Sequence, residues 1–315
     1  MTNLSLRFTR RALLTAATAA LLLAGPAGAA PPAHRAGGPD RIIISGAAGH
    51  LGELTVEDLL ARGVPASRLI LVSRTPAALA RYATLGASVR YGDFTKPASL
   101  RKAFAGGNRM LLISIGFSRM PRPEAHRNAI EAAIADGVRH IAYTSWIALS
   151  RADHTGLGAD HYATERILER SGVAWTFLRN SVYMEGVLPA AERMAATGRA
   201  VVPPDDPHIG YVSRADCAAA AAAVLSTPGH DDKVYDITGP ALVDTRELAA
   251  AVSAVTGQRI AVVAAQPGAA RPKRPFNAAA LSVVGSGVEK LTGRPPMTLQ
   301  AFLEQHRAEI LHRSR

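Results

Sequence analysis

Short apolar runs alternate with stretches of helical period along the first half of the chain. The runs 41–45, 69–73, 87–91, 109–115, 139–145 and 174–179 read as strands, and helical patterns fall near 50–61, 76–84, 97–104, 122–136 and 158–171. That order predicts an α/β protein with a doubly wound parallel sheet and helices on both faces. Unbroken apolar character from Leu69 to Val72 and from Met110 to Ile115 suits strands covered on both sides. Beyond Val182 the pattern turns irregular: helical signals near 186–197, 213–226 and 245–256, strands near 233–237 and 259–264, and a closing amphipathic segment near 298–310. Residues 41–185 are therefore expected to form the sheet domain. Residues 186–315 form a smaller substrate lobe, partly interleaved with the sheet, closing over the carboxyl ends of the strands where such sheets bind ligands.

The first strand ends in Gly46, Gly49 and Gly52, spaced GxxGxxG, and a helical pattern follows at once. Gly46 permits a tight turn out of the strand, Gly49 lets backbone approach a pyrophosphate, and Gly52 lets the helix pack closely on the sheet. The helix N-terminus then faces the anion. This spelling fits a Rossmann-type dinucleotide-binding domain; the bland alternative is a glycine turn that only joins strand to helix.

The 315 residues, 48% of them hydrophobic, are enough for a full core. A formal charge of +11 points toward nucleic acid, but the basic residues are scattered and mostly Arg, so no nucleic-acid partner is expected. Arg271, Lys273 and Arg274 make the one tight internal basic cluster, in a Pro-rich segment. Arg7, Arg10 and Arg11 precede an apolar run from Ala12 to Ala24, and Ala27-Gly28-Ala29 offers a small-residue cleavage site. Residues 1–30 thus read as a twin-arginine-like export signal, which carries folded proteins, with 31–40 as a linker. No membrane span is expected after processing, and a cytoplasmic location follows if the signal does not work. The single Cys217, in an Ala-rich run, excludes an intramolecular disulfide and reads as a small buried hydrophobe.

The residue after the second strand chooses the nucleotide, because an acidic side chain bonds a ribose 2′-hydroxyl whereas Arg accommodates a 2′-phosphate. That strand ends in Val72, Ser73 and Arg74, and no acidic residue occurs between Asp58 and Asp93. Ser73 and Arg74 predict NADP(H) over NAD(H); the alternative for Arg74 is a solvated residue opening the next helix. Asp93 and Phe94, just past the third strand, are placed to meet the adenine edge. Ser114, Ile115 and Gly116, ending the fourth, would line the ribose and pyrophosphate.

Several segments together resemble the atypical short-chain dehydrogenase group that includes NmrA-like proteins, and more closely its NADPH:quinone oxidoreductase type 2 and triphenylmethane reductase branch. They are Ser45–Gly52, with Ala48, His50 and Leu51 between its glycines; Val72–Pro76; Gly92–Phe94; His126–Ile130; Gly137–Ser145; Asp160–Glu165; and Ser171–Asn180 with Tyr183 and Glu185. The resemblance covers roughly residues 41–260. It implies NADPH binding and, in enzymatic members, hydride transfer to a quinone or another planar conjugated acceptor; other members look like redox sensors that bind the nucleotide without turnover. It also implies cofactor contacts from Tyr143, Thr144, Ser145 and His161, the last at the position where many relatives hold the nicotinamide ribose.

Departures bear on the chemistry. The Tyr-x-x-x-Lys pair of short-chain dehydrogenases, in which the lysine lowers the tyrosine pKa, is missing. Tyr162-Ala-Thr-Glu-Arg166 is a near miss, with His161 rather than Lys four residues before Glu165. A quinone needs little acid assistance, so the missing pair favours such an acceptor over a simple ketone. Ser145, His161 and Tyr183 are the candidate catalytic residues. Thr144 and Ser145 either meet nicotinamide or substrate or satisfy local backbone. Tyr183 either walls the acceptor site or packs beneath the second lobe. His126 reads as a surface residue, and the histidine spacings predict no metal. Three classes stay open: an NADPH-dependent oxidoreductase, a nucleotide sensor, and epimerase-type chemistry, which would need an acid/base pair that the sequence does not offer.

Overall fold

Every residue of Ile42–Ser45 (β1) is buried, because the strand has a parallel neighbour on each side. The computed structural model describes residues 40–116, 119–266 and 276–312. The export signal, the linker up to Pro39 and the Arg271, Lys273 and Arg274 cluster lie outside the described residues. Strands follow at Leu69–Ser73 (β2), Ser88–Tyr91 (β3), Arg109–Leu112 (β4), His140–Trp146 (β5), Ala174–Asn180 (β6), Arg199–Val202 (β7), Lys233–Ile237 (β8) and Ala261–Ala264 (β9). Helices are His50–Ala61 (α1), Ala80–Thr84 (α2), Pro97–Phe104 (α3), Arg122–Ala135 (α4), Leu157–Glu169 (α5), Leu188–Thr197 (α6), Arg214–Ser226 (α7), Thr245–Thr256 (α8), Gly287–Thr292 (α9), Leu299–Gln305 (α10) and Arg307–His312 (α11).

Seven strands form one parallel sheet in the order β3-β2-β1-β4-β5-β6-β8. The order reverses between β1 and β4, and that switch point is where such sheets open a crevice beyond the strand ends. Side chains of α1, α7 and α9 cover one face, and those of α3, α4 and α5 the other. Helix α7 is buried from Asp216 through Leu225. Its alanines carry no bulk beyond Cβ, so it lies close on α1, and Cys217 is the buried small hydrophobe expected.

The second half is more interleaved than a lobe spanning 186–315 suggests. Helix α7, strand β8 and helix α9 return to the main sheet, with β8 parallel to β6 at its edge. The lobe proper consists of α6, α8, α10 and α11 around Leu188, Met194, Val252, Phe302 and Ile310, together with β7 paired to β9. Strand β4 also stops at Leu112 rather than running to residue 115. The next three backbone N–H groups donate to side chains instead of a neighbouring strand: Ile113 to Ser45 Oγ (3.0 Å), Ser114 to Thr144 Oγ1 (2.8 Å) and Ile115 to His126 Nε2 (3.1 Å). These three bonds hold the strand ends open at the switch point.

Candidate active site

Gly46 has φ +67°, a conformation that L side chains rarely adopt. A Cβ on Gly52 would stand 2.4 Å from the carbonyl oxygen of Gly46 and 2.7 Å from Cα of Ala47. The first glycine is thus required by the turn and the third by the close seat of α1 on that turn. Gly49 is the N-cap of α1, without a side chain to satisfy the helix's first N–H groups. These donors and the positive end of the helix dipole face the crevice, which suits a pyrophosphate.

From this turn the crevice runs two ways. One arm is lined by Ala48, Ser73, Arg74, Asp93, Phe94, Ile115 and Gly116, all expected there. Ser73 Oγ accepts the Thr75 N–H at 3.0 Å, and Asp93 Oδ1 accepts the Thr95 N–H at 3.0 Å and its hydroxyl at 2.8 Å, so both loop ends are set by short side-chain turns. The Thr95 bonds and the nearby Lys96 and Arg74 charges outweigh burial and hold the Asp93 carboxyl below its usual range. Arg74 is exposed in the same arm, near enough for its charge to act on Asp93.

The other arm is lined by His50, Leu51, Gly52, Thr144, Ser145, His161 and Tyr183, with Gly46, Gly49 and Ser114 shared between the two. All three candidate catalytic residues therefore meet in one arm. Trp146, Leu157, Asn180, Ser181, Val182 and Arg214 join them; none of these was expected as a site residue.

Their hydrogen bonds define what each can do. Ser145 Oγ donates to Glu165 Oε1 at 2.6 Å, and Glu165 in turn takes the N–H groups of Arg179 Nε and Nη2 at 3.0 and 2.8 Å. With its hydrogen committed to a buried, paired carboxylate, Ser145 offers the cleft an acceptor oxygen rather than a donor. Thr144 Oγ1 receives the Ser114 N–H, so its local-backbone role holds while it still lines the arm. Tyr143 needs correction as a cofactor contact: its side chain is wholly buried, lines neither arm, and stands 2.8 Å from His161 Nδ1. A phenol is the stronger acid and an imidazole nitrogen the stronger base, so Tyr143 donates and His161 carries its hydrogen on Nε2. Burial, with the Arg122 charge adding to it, pushes the His161 pKa down to about 3, so the ring is neutral. His161 is thus a neutral N–H donor, with Trp146 stacked beside it at 6.3 Å between ring centroids.

His126 is not a surface residue. It is fully buried, takes the Ile115 N–H on Nε2, and sits 3.0 Å from Thr164 Oγ1 through Nδ1. Its position at the fifth residue of α4 points inward, toward the loop after β4. Three buried polar atoms of this second arm's residues have no hydrogen-bond partner among the described residues: Asn180 Oδ1, Ser181 Oγ and Trp146 Nε1. Buried polar atoms are ordinarily satisfied, so these three are exceptions in the wall of the arm.

His208, Asp244 and Glu247 also approach one another, with ligand atoms within 4.8 Å. Both carboxylates already form the capping box of α8, at the positive end of a helix dipole, which disfavours a cation.

A model of the family described as NAD(P)H-binding matches residues 46–228. The chain belongs to that family. It is 39% identical over 221 residues to quinone oxidoreductase 2 of Escherichia coli, covering 70% of this chain and 76% of that protein. Among solved structures, an NADPH complex of an NADPH-dependent quinone oxidoreductase from Escherichia coli is similar at 33% identity and TM-score 0.73, covering 85% of this chain and 99% of the other. A triphenylmethane reductase of Citrobacter sp., solved with NADP(H), follows at 30% identity and TM-score 0.74, covering 84% and 99%. The matched stretch contains both arms of the crevice, including Arg74, Ser145, His161, Tyr183 and Arg214. It takes in α7, which the sequence pattern alone assigned to the second lobe.

Proposed function

We propose that this protein is an NADPH-dependent oxidoreductase that passes hydride to a quinone or a similar planar conjugated acceptor. The observation that carries the reading is the continuity of the crevice. One arm has a phosphate-ready Arg74 and the other gathers Ser145, His161 and Tyr183, with the glycine turn between them. The residues present fit NADPH: Gly46 turns the chain at a φ that L side chains rarely adopt, Gly49 leaves the first N–H groups of α1 without a side-chain cap, and Arg74 stands at the end of β2 for a 2′-phosphate.

Bound there, NADPH would supply the hydride. Arg74 and Ser73 would hold the 2′-phosphate, and the α1 N-terminus the pyrophosphate. His161 Nε2–H would donate to a ribose hydroxyl or to the acceptor oxygen, and Ser145 Oγ would accept from an N–H or O–H group. Tyr183 stays protonated, because burial pushes its hydroxyl above the ordinary tyrosine value. With no ionisable acid poised for a strong proton transfer, the arm suits an acceptor that takes hydride into a conjugated system and a proton from solvent. The relatives' names, a quinone oxidoreductase and a triphenylmethane reductase, support a conjugated acceptor.

The Arg10-Arg11 pair and the apolar run behind it support export of the folded protein as part of the same reading. Among the described residues no helix is long and apolar enough to cross a membrane. The test is NADPH consumption by the purified protein with and without a small benzoquinone, with NADH as control. Quinone-dependent loss of NADPH supports the enzyme; saturable NADPH binding without consumption overturns it in favour of a sensor.

A further inference from the structure

Arg214 opens α7 and lines the acceptor arm, yet nothing in the glycine motif or the Ser145–His161 pair uses it. Its guanidinium carbon stands 5.1 Å over the Tyr183 ring, in the same wall. A cation over an aromatic face is held in place but keeps its N–H groups free for a further partner. Glu185 is an acidic neighbour that could neutralise it. That carboxylate instead accepts the backbone N–H of Arg214 at 3.2 Å through Oε1, and its Oε2 has no partner. No ion pair of the Arg214 guanidinium occurs among the described residues, whereas Arg179 and Arg294 are paired to Glu165 and Asp216.

The charge of the arm is correspondingly one-sided. Its lining contains His50, His161, Tyr183 and Arg214 as ionisable groups and no Asp or Glu. His161 is neutral, so Arg214 is the fixed full charge on the acceptor side, reinforced by the positive end of the 13-residue α7. A buried or half-buried cation facing a cleft without a counter-ion favours an anionic ligand group, because a guanidinium bonds sulfonate, carboxylate or phosphate oxygens in pairs.

We propose that Arg214 selects, among planar acceptors, those carrying an anionic substituent. The inference rests on the acceptor-arm reading above and narrows its substrate class: an aromatic or quinonoid ring beside Trp146 and His161, with a sulfonate or carboxylate reaching Arg214. The neutral counterpart of the same ring has the aromatic contact but not the charge-assisted bond.

The test compares two non-reducible ligands of nearly equal shape, naphthalene-2-sulfonate and naphthalene-2-sulfonamide, binding to the full chain in the presence of NADP+, read by calorimetry. In the wild type the sulfonate should bind about tenfold more tightly than the sulfonamide, an advantage that shrinks as salt rises. Arg214→Gln should abolish that ratio, and Arg214→Lys should keep most of it while separating charge from packing on Tyr183. NADP+ affinity, measured alongside, should change less than about twofold. Equal weakening of both ligands in Arg214→Gln would make the residue a packing element and overturn the proposal. A loss confined to NADP+ affinity would assign the guanidinium to a cofactor phosphate and also overturn it. A wild type without preference for the sulfonate would do the same. Reduction assays with 1,4-naphthoquinone and its 2-sulfonate keep the two readings apart: if neither is reduced but the binding ratio depends on Arg214, hydride transfer fails while the anion site stands.

Discussion

Tyr143 Oη lies 2.8 Å from His161 Nδ1, with both side chains buried beneath the acceptor arm. The tyrosine never reaches the cleft, yet it decides which nitrogen of His161 does. Tyr143→Phe removes the donor and frees the ring to exchange tautomers. In ¹⁵N-histidine NMR the wild type should show His161 protonated on Nε2, and the variant a mixture. A loss of about tenfold in kcat/KM, one hydrogen bond's worth, should accompany it. Unchanged ¹⁵N shifts would remove Tyr143 from the mechanism.

His161, His126 and His140 are all buried, and burial lowers their pKa values to about 3, 3 and 4. Each stays neutral in the fold while the unfolded chain binds a proton below about pH 6.5. The unfolded state therefore gains protons first as pH falls, and stability drops through the window from about 6.5 toward 4, by about 1.4 kcal/mol per pH unit for each histidine. Denaturant midpoints should begin to fall near pH 6, before most carboxylates titrate. By the same shift, His161 should give kcat/KM no inflection between pH 6 and 7. A midpoint flat down to pH 4.5 would contradict the buried neutral histidines.

Arg74→Ala should raise the Kd for NADPH by about tenfold or more and leave NADH within about twofold, because only the 2′-phosphate meets the guanidinium. Fluorescence titration of both nucleotides reads the ratio directly. Equal losses for the two would place Arg74 on the backbone phosphates or on nothing.

Gly52→Ala should be the most damaging single methyl in the motif. Its Cβ would press to 2.4 Å on the Gly46 carbonyl and 2.7 Å on Ala47 Cα, both backbone atoms that cannot step aside. A cost of about 1–3 kcal/mol is expected, read as a lower Tm together with weakened NADPH binding. Gly137→Ala, where a Cβ meets nothing within 4 Å but φ is +92°, tests strain without a clash. It should lower Tm with no effect on NADPH.

Much of this site was written in local pattern. Gly46, Gly49 and Gly52 lie at the turn from β1 into α1, and Ser73 and Arg74 at the end of β2, positions that follow from the alternation of strands and helices, and the fold places them as that alternation predicts. What the pattern could not carry is long-range. Nothing near His126 shows that its ring turns inward to take the N–H of Ile115, because the partner lies in a loop before α4. Trp146 and Arg214 reach the acceptor arm from the end of β5 and the start of α7, segments that are adjacent only once β8 returns to the sheet. The residue type of Ser145 leaves donor and acceptor roles open, and only its 2.6 Å bond to Glu165 commits its hydrogen. One signal was available: Arg214, just after the N-cap Ser213, opens an alanine-rich helix whose buried face does not need it.

The most direct measurement mixes the NADPH-loaded protein with excess quinone in a single turnover and follows the nicotinamide absorbance, using NADPH deuterated at the transferred position of C4 in parallel. Hydride transfer within the cleft requires rapid, quinone-dependent loss of that absorbance, slowed by deuterium, and slower again in His161→Phe. Bound NADPH that persists unchanged in the presence of quinone would contradict the oxidoreductase reading.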